Sequence, residues 1–268
     1  MRAFSPAGVV RLGAVLLALV AFAAVSAAAP AATGDNYVAL GDSYSSGVGT
    51  GSYTLDAACK RSVYAYPYLY TQKHPGTSLT FVACSGAKTS DLMTKQVQAV
   101  TSATTLVTMT IGGNDIGFAN LIYQCTVGDC SAALDSTTAN LESTLGPALD
   151  QVFGTVKSRA APNARIIVLG YPRVFSGASC LGTLGITSAE ETKANALAVA
   201  LDKVIGAHAS ADGVTYVSAL GPFLGHAVCS FSPYLNGLNL FSTGESYHPT
   251  RSGQSSGYVP LVTVGVTG

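Results

Sequence analysis

The sequence predicts an α/β fold, a three-layer α/β/α sandwich around a five-stranded parallel sheet. Three observations predict it. Short apolar and β-branched runs recur at 37–40, 79–84, 106–111, 165–170 and 214–218, and such runs read as strands buried on both faces. Helix-like segments alternate with them near 62–73, 88–99, 132–160, 188–209 and 251–263, with Pro67, Pro147 and Gly206 as breakers. Strand and helix in alternation is the pattern of a parallel sheet joined by crossovers. The first three runs also end in small-residue loops, Gly41-Asp-Ser43, Ser85-Gly-Ala87 and Gly112-Gly-Asn-Asp115. In an open sheet of this kind, loops at the carboxyl ends of the strands converge on one crevice.

Ahead of the first strand, Arg2 and Arg11 precede an apolar stretch at 12–25 and a small-residue zone at 26–32. That is the layout of a secretory signal peptide, too short and too Ala/Pro-rich at its exit for a permanent anchor. Cleavage after Ala28 or Ala31 is expected, so residues 1–31 are assigned to the leader and 32–268 to one domain. Without the leader the chain carries 12 basic against 14 acidic residues, a net charge of −2. No basic patch invites nucleic acid, and no second apolar stretch suggests a stable membrane anchor. With 48% hydrophobic and 10% charged residues the chain can bury a large core, which excludes a disordered protein. An extracellular monomer is expected.

All six cysteines, Cys59, Cys84, Cys125, Cys130, Cys180 and Cys229, follow the leader. An even count in an exported chain reads as disulfides. Among the possible pairings, sequential ones (59 with 84, 125 with 130, 180 with 229) are favoured because each closes a loop between neighbouring elements. Zinc is the alternative, but no CxxC or HxxxH spacing supports it. Tyr64, Tyr66, Tyr68 and Tyr70 read as the aromatic face of one amphipathic helix.

Hydrolysis by a serine needs a nucleophile, a base and donors for an oxyanion. Ser43 stands in a small-residue loop at a strand end, which can expose its Oγ. His248, in Glu245-Ser-Tyr-His-Pro249, precedes the last helix, and its near-neutral pKa suits proton transfer. Gly86 offers a backbone N–H without a side chain in the way, and Asn114 a side-chain amide. Each motif alone is more often a plain turn.

Their order and contexts together are more specific. GDSYSSG, ACSGAK, IGGND and ESYHP resemble the four blocks of the SGNH hydrolases, the GDSL esterase/lipase family, and the likeness extends from Tyr37 to the terminal helix. It is nearest to the secreted actinobacterial lipases and phospholipases of that family. The resemblance implies a flavodoxin-like sheet and hydrolysis of carboxylic esters with no cofactor and no metal. It implies Ser43 as nucleophile, His248 as base, and Ser43 N–H, Gly86 N–H and Asn114 as oxyanion donors. The last block departs from the commoner Asp-x-x-His, because Glu245 holds the acidic place. Some family members lacking that Asp orient the histidine with a main-chain carbonyl. The carbonyl of Ser246 is therefore preferred here, with the Glu245 carboxylate as the alternative.

Other features are read as structural. GQSSG at 253–257 matches a nucleophile elbow but has no histidine downstream, so it is read as a helix start. GVGTG at 47–51 lacks the long helix and acidic partner of a dinucleotide loop. His74, His208 and His226 are read as structural, and Asp42 and Asp115 as holding their loops through Asx-type bonds. Apolar stretches at 180–186 and 235–241 are candidates for an acyl groove or for loop packing. The expected function is a secreted serine esterase or lipase. Phospholipase A1 and carbohydrate acetylesterase remain open, as does a catalytically idle lipid- or glycan-binding module on the same fold.

Overall fold

In the computed structural model, which describes residues 1–4 and 34–268, five parallel strands run in the order β2-β1-β3-β4-β5. The expected apolar stretch and cleavage zone of the leader fall outside the described residues. Residues 34–268 form one compact unit. The strands are β1 (Asn36–Ala39), β2 (Ser78–Phe81), β3 (Leu106–Met109), β4 (Arg165–Leu169) and β5 (Thr215–Val217). The order explains their composition. Every residue of β3 is buried, and so are all but the first of β1 and of β4, whereas the edge strands β2 and β5 are only partly covered. Interior strands of a parallel sheet must be apolar on both faces, and edge strands need not be.

The helices are α1 (Ser43–Ser46), α2 (Tyr66–Lys73), α3 (Thr89–Asp91), α4 (Phe118–Val127), α5 (Ser131–Arg159), α6 (Ser188–Ala211) and α7 (Val259–Thr267). α2 and α7 pack together on one face of the sheet, with α3, α5 and α6 on the other. α6 begins with a capping box in which Thr187 and Glu190 satisfy each other's amides. Pro67 sits in the first turn of α2, where its missing N–H costs nothing. α5 runs through Pro147 rather than breaking there.

Several expectations need correction. β2 ends at Phe81, three residues early, where Val82 N and Ala83 N both donate to Ala39 O and interrupt the ladder. The helix expected from residue 62 starts at Tyr66, so only Tyr66 and Tyr70 pack in the core. Tyr64 lies outside it under the Arg251 guanidinium, 3.8 Å from the ring centroid. α4 was not expected at all. The segment at 88–99 changes pitch twice, with a π-helical turn at Leu92–Gln96 and a 3-10 turn at Val97–Ala99. A second π-helical turn, Gly253–Tyr258, leads into α7.

Disulfides join Cys59 to Cys84, Cys125 to Cys130 and Cys180 to Cys229. The first closes a separation of 25 residues beside the β2 loop. On chain entropy alone, replacing both of its cysteines by Ser should lower unfolding free energy by about 3.5 kcal/mol, measured by urea titration.

Candidate active site

The strand order reverses direction between β1 and β3, so the loops leaving these strands part and open a crevice. Ser43 follows β1 and Asn114 follows β3, one on each side of that opening. Gly41 makes the first turn with φ +117°, and a Cβ there would lie 2.4 Å from Thr110 O. Its N–H donates to Gln96 Oε1 (2.7 Å), and its carbonyl accepts from Gln96 Nε2 (2.9 Å). From the other face of the sheet, Gln254 Nε2 donates to Tyr44 O (2.9 Å) and its Oε1 accepts from Tyr66 N (2.8 Å). Both glutamines are buried, and both belong to π-helical turns. The extra residue in such a turn resets the helical phase, which here carries a polar side chain inward.

Asp42 caps α1 by accepting from Tyr44 N (3.0 Å). The same buried carboxylate accepts from Thr110 Oγ1 (2.7 Å) and from the Tyr171 hydroxyl. Burial raises its pKa to about 6 against the pull of these three donors. Asp42 thus holds its own loop as expected. Asp115 does not: it reaches across to the start of α3 and accepts from Thr89 N (3.1 Å).

Ser43 is the first residue of α1 and nearly buried. His248 Nε2 lies 2.7 Å from Ser43 Oγ, and His248 Nδ1 lies 2.8 Å from Ser246 O. A carbonyl only accepts, so in the neutral ring Nδ1 carries the proton and Nε2 is left to accept from the serine hydroxyl. Glu245 turns the other way: its carboxylate accepts from Tyr53 OH (2.7 Å), and Tyr53 OH in turn accepts from Gly49 N (3.2 Å). Burial and then the bond to Glu245 raise the Tyr53 pKa to about 12, which keeps the phenol a donor.

The histidine loop is held against strain. Tyr247 has φ +61°, uncommon for a bulky residue and costing of order 1–3 kcal/mol. Its N–H donates to Asn236 O (3.0 Å), and its carbonyl accepts from Tyr44 OH (2.7 Å). Asn236 Nδ2 bonds Gly49 O (2.8 Å) and His248 O (3.2 Å). A Cβ on Gly49 would approach His248 Cβ to 2.9 Å, so the glycine lets the two loops close.

Ser43, Gly86, Asn114 and His248 all line one cavity of about 230 Å³. Asn114 Nδ2 donates one hydrogen to Ala87 O (3.0 Å), which fixes the amide and leaves its second N–H unused by that bond. The apolar wall comes from Phe118, Ile122 and Tyr123 of α4, Ala198 and Leu201 of α6, and Leu238. Of the two stretches expected to line a groove, 235–241 contributes only Leu238 and 180–186 contributes nothing. Tyr171, which joins Asp42 to Gly113 N (3.3 Å), was also missed, although it stands directly after a strand end like the loops that were found.

The remaining expectations resolve simply. GQSSG forms the π-helical turn and lies outside the cavity lining. GVGTG ends α1 and seats His248. His74 stacks on Tyr70 and His226 on Tyr234. His208, between Asp150 and Glu142, clips α6 to α5. Cys125, Cys130 and Glu190 cluster as metal ligands would, but the cysteines are bonded to each other and Glu190 accepts from Cys130 N and Thr187.

Burial lowers the His248 pKa to about 4, the Ser246 bond opposing and Lys60 adding to the fall. The unfolded ring binds a proton near 6.5 while the folded ring waits until about 4, so this residue makes folding less favourable as pH drops through that window. Asp42 acts oppositely, taking its proton in the folded state first, below about 6. An NMR titration of the His248 ring should show a midpoint near 4. A midpoint at the ordinary value would mean an open, solvated ring.

Residues 39–255 match the GDSL-like Lipase/Acylhydrolase family. Lipase 1 of Streptomyces coelicolor is 42% identical over 250 residues, 91% of each chain. The extracellular lipase of Streptomyces rimosus superposes with a TM-score of 0.81 at 43% identity, over 85% of this chain and 98% of that one. Phospholipase A1 of Streptomyces albidoflavus gives 0.81 at 42%, over 86% and 99%. With a strand-end serine, a histidine on its hydroxyl and this likeness over most of its length, the chain belongs to the GDSL-like lipase/acylhydrolase family of carboxylic ester hydrolases.

Proposed function

We propose that Ser43 and His248 hydrolyse acyl esters as a dyad, oriented by the Ser246 carbonyl. The observation that carries this reading is the relay Ser246 O, His248 Nδ1 and Nε2, Ser43 Oγ, with links of 2.8 and 2.7 Å. Ser43 Oγ attacks the ester carbonyl carbon while Nε2 takes its proton. The carbonyl oxygen becomes an oxyanion facing Ser43 N–H, Gly86 N–H and Asn114 Nδ2. Collapse expels the alcohol, which leaves with the proton from Nε2. Water then attacks the acyl-enzyme, giving its proton to Nε2, and the second collapse returns it to Ser43 with release of the acid.

The substrate we propose is an ester of a medium or long acyl chain, as in an acylglycerol or phospholipid. The apolar wall of α4 and α6 supports a chain of several carbons over an acetyl group. The relatives' names, lipase and phospholipase A1, point the same way. All the named groups lie in one chain, so a monomer suffices. Secretion is proposed from the leader-like N-terminus, the three disulfides and the extracellular S. rimosus relative.

A fluorophosphonate should label Ser43 stoichiometrically, read by peptide mass. A folded, unlabelled protein would favour the idle binding module instead. In a p-nitrophenyl series from acetate to palmitate, with a phospholipid and an acetylated sugar alongside, the acetyl compounds should be poorest. Ser43→Ala and His248→Ala should fold normally and lose nearly all turnover. Asn114→Ala should lose about 10²–10³ in kcat with KM little changed, as loss of one oxyanion donor does. Glu245→Gln should lose less than about tenfold in kcat, whereas a carboxylate orienting the ring would cost up to ~10⁴.

A further inference from the structure

One side of the cavity mouth is apolar and exposed. Tyr123 and Val127 of α4, Leu181 and Leu184 of the loop before α6, and Leu240 and Phe241 of the loop before His248 all present exposed side chains. Contacts join these pieces into one surface. Gly185 abuts the backbone of Thr126, and Gly237 abuts Gly182. Gly182 O accepts from Leu238 N (2.9 Å) and from Tyr247 OH (3.3 Å). Tyr123, Leu238, Thr243 and Gly244 of the same segments line the cavity itself. The segments 116–128, 174–187 and 213–244 contain no Asp, Glu, Lys or Arg. Across the mouth, beyond Gly86 and Asn114, the lining turns polar with Lys88, Asp115 and Asn120.

An exposed apolar patch of this kind marks a partner surface. Here its occupant is constrained by position, because the patch is the rim of the substrate's own entrance. A protein seated there would block the cavity, whereas a lipid aggregate would deliver acyl chains into it. We propose that this rim docks on the surface of an uncharged or zwitterionic lipid aggregate, inserting Leu181, Leu240 and Phe241 among the acyl chains. The inference rests on the acyl-ester reading of the cavity. A docked rim lets a chain slide from lipid into the cavity without crossing water, while the polar side of the mouth stays at headgroup level. Attraction to anionic lipid grows with the number of basic residues near the surface, and these segments carry none, Lys60 beside Gly244 being a single charge at their edge.

The chain contains no tryptophan, so Phe241→Trp is a single fluorescent reporter. With vesicles of diether phosphatidylcholine, which offer no ester, its emission should shift to the blue. A tryptophan placed at Val264, exposed on α7 and away from the cavity lining, should not shift. Mixing in diether phosphatidylglycerol should change the partition coefficient by less than about fivefold, the worth of one lysine near the surface. The triple variant Leu181→Ser, Leu240→Ser, Phe241→Ser should lose at least about tenfold in hydrolysis of ester phosphatidylcholine vesicles, and keep its rate on monomeric p-nitrophenyl butyrate within about twofold. The proposal is overturned by no shift at Phe241→Trp, by an equal shift at Val264→Trp, by binding that requires the anionic lipid, or by a concentration-dependent shift without vesicles, which marks self-association. Because the diether arm reads binding without turnover, docking is tested even if the chain hydrolyses some other ester.

Discussion

The carboxylate of Asp42 is 1% exposed and gathers donors from three parts of the chain: its own helix at Tyr44, the end of β3 at Thr110, and the loop after β4 at Tyr171. A buried anion is tolerated only where hydrogen bonds replace its water, so the three segments are drawn to a common point. That point sets the start of α1 and with it Ser43. It also sets Gly113, whose amide donates to the same Tyr171 hydroxyl, and through Gly113 the neighbouring Asn114. Proposed nucleophile and proposed oxyanion donor are thus located by one charge that itself takes no part in the proposed proton transfers.

The histidine follows a different economy. A carboxylate on its far nitrogen would bring a second buried anion to an apolar cavity, with the desolvation that entails. A carbonyl fixes the same tautomer without charge. The carboxylate at hand, Glu245, is turned to the surface side and spent on Tyr53, whose oxygen accepts from Gly49 under the histidine. A ring with no adjacent anion and a nearly dry setting holds a proton poorly, which is the direction of its pKa.

Residues that sit at strand ends were legible from the sequence, because small residues, an amide and an imidazole in those loops have few other uses. The sheet was legible because its inner strands are apolar throughout. α4 was not. Its sequence FANLIYQCTV carries no charged residue, and its period, with Leu121, Ile122 and Cys125 buried, passes for part of the loop after Asp115. That gap misdirected the acyl groove to 180–186, whose leucines face outward. Gln96 and Gln254 were illegible for a subtler reason: an ordinary helical period does not anticipate a π-helical turn, and it is the turn that aims them inward. Asp115 was misread because its partner Thr89 lies 26 residues away, beyond the reach of local motif logic.

Ser43 and His248 are 205 residues apart in sequence, and the seat of the histidine depends on Asn236 and on the π-helical turn that carries Gln254. So distant a closure comes only after the intervening sheet has formed to hold both ends, since its loop entropy must be met by other contacts. The serine is therefore an ordinary hydroxyl in every incomplete chain. An incomplete chain lacks the proposed proton acceptor, and a break that releases the last twenty-one residues, His248 among them, returns the chain to that state. For an ester hydrolase, the wiring of the fold serves as its own zymogen.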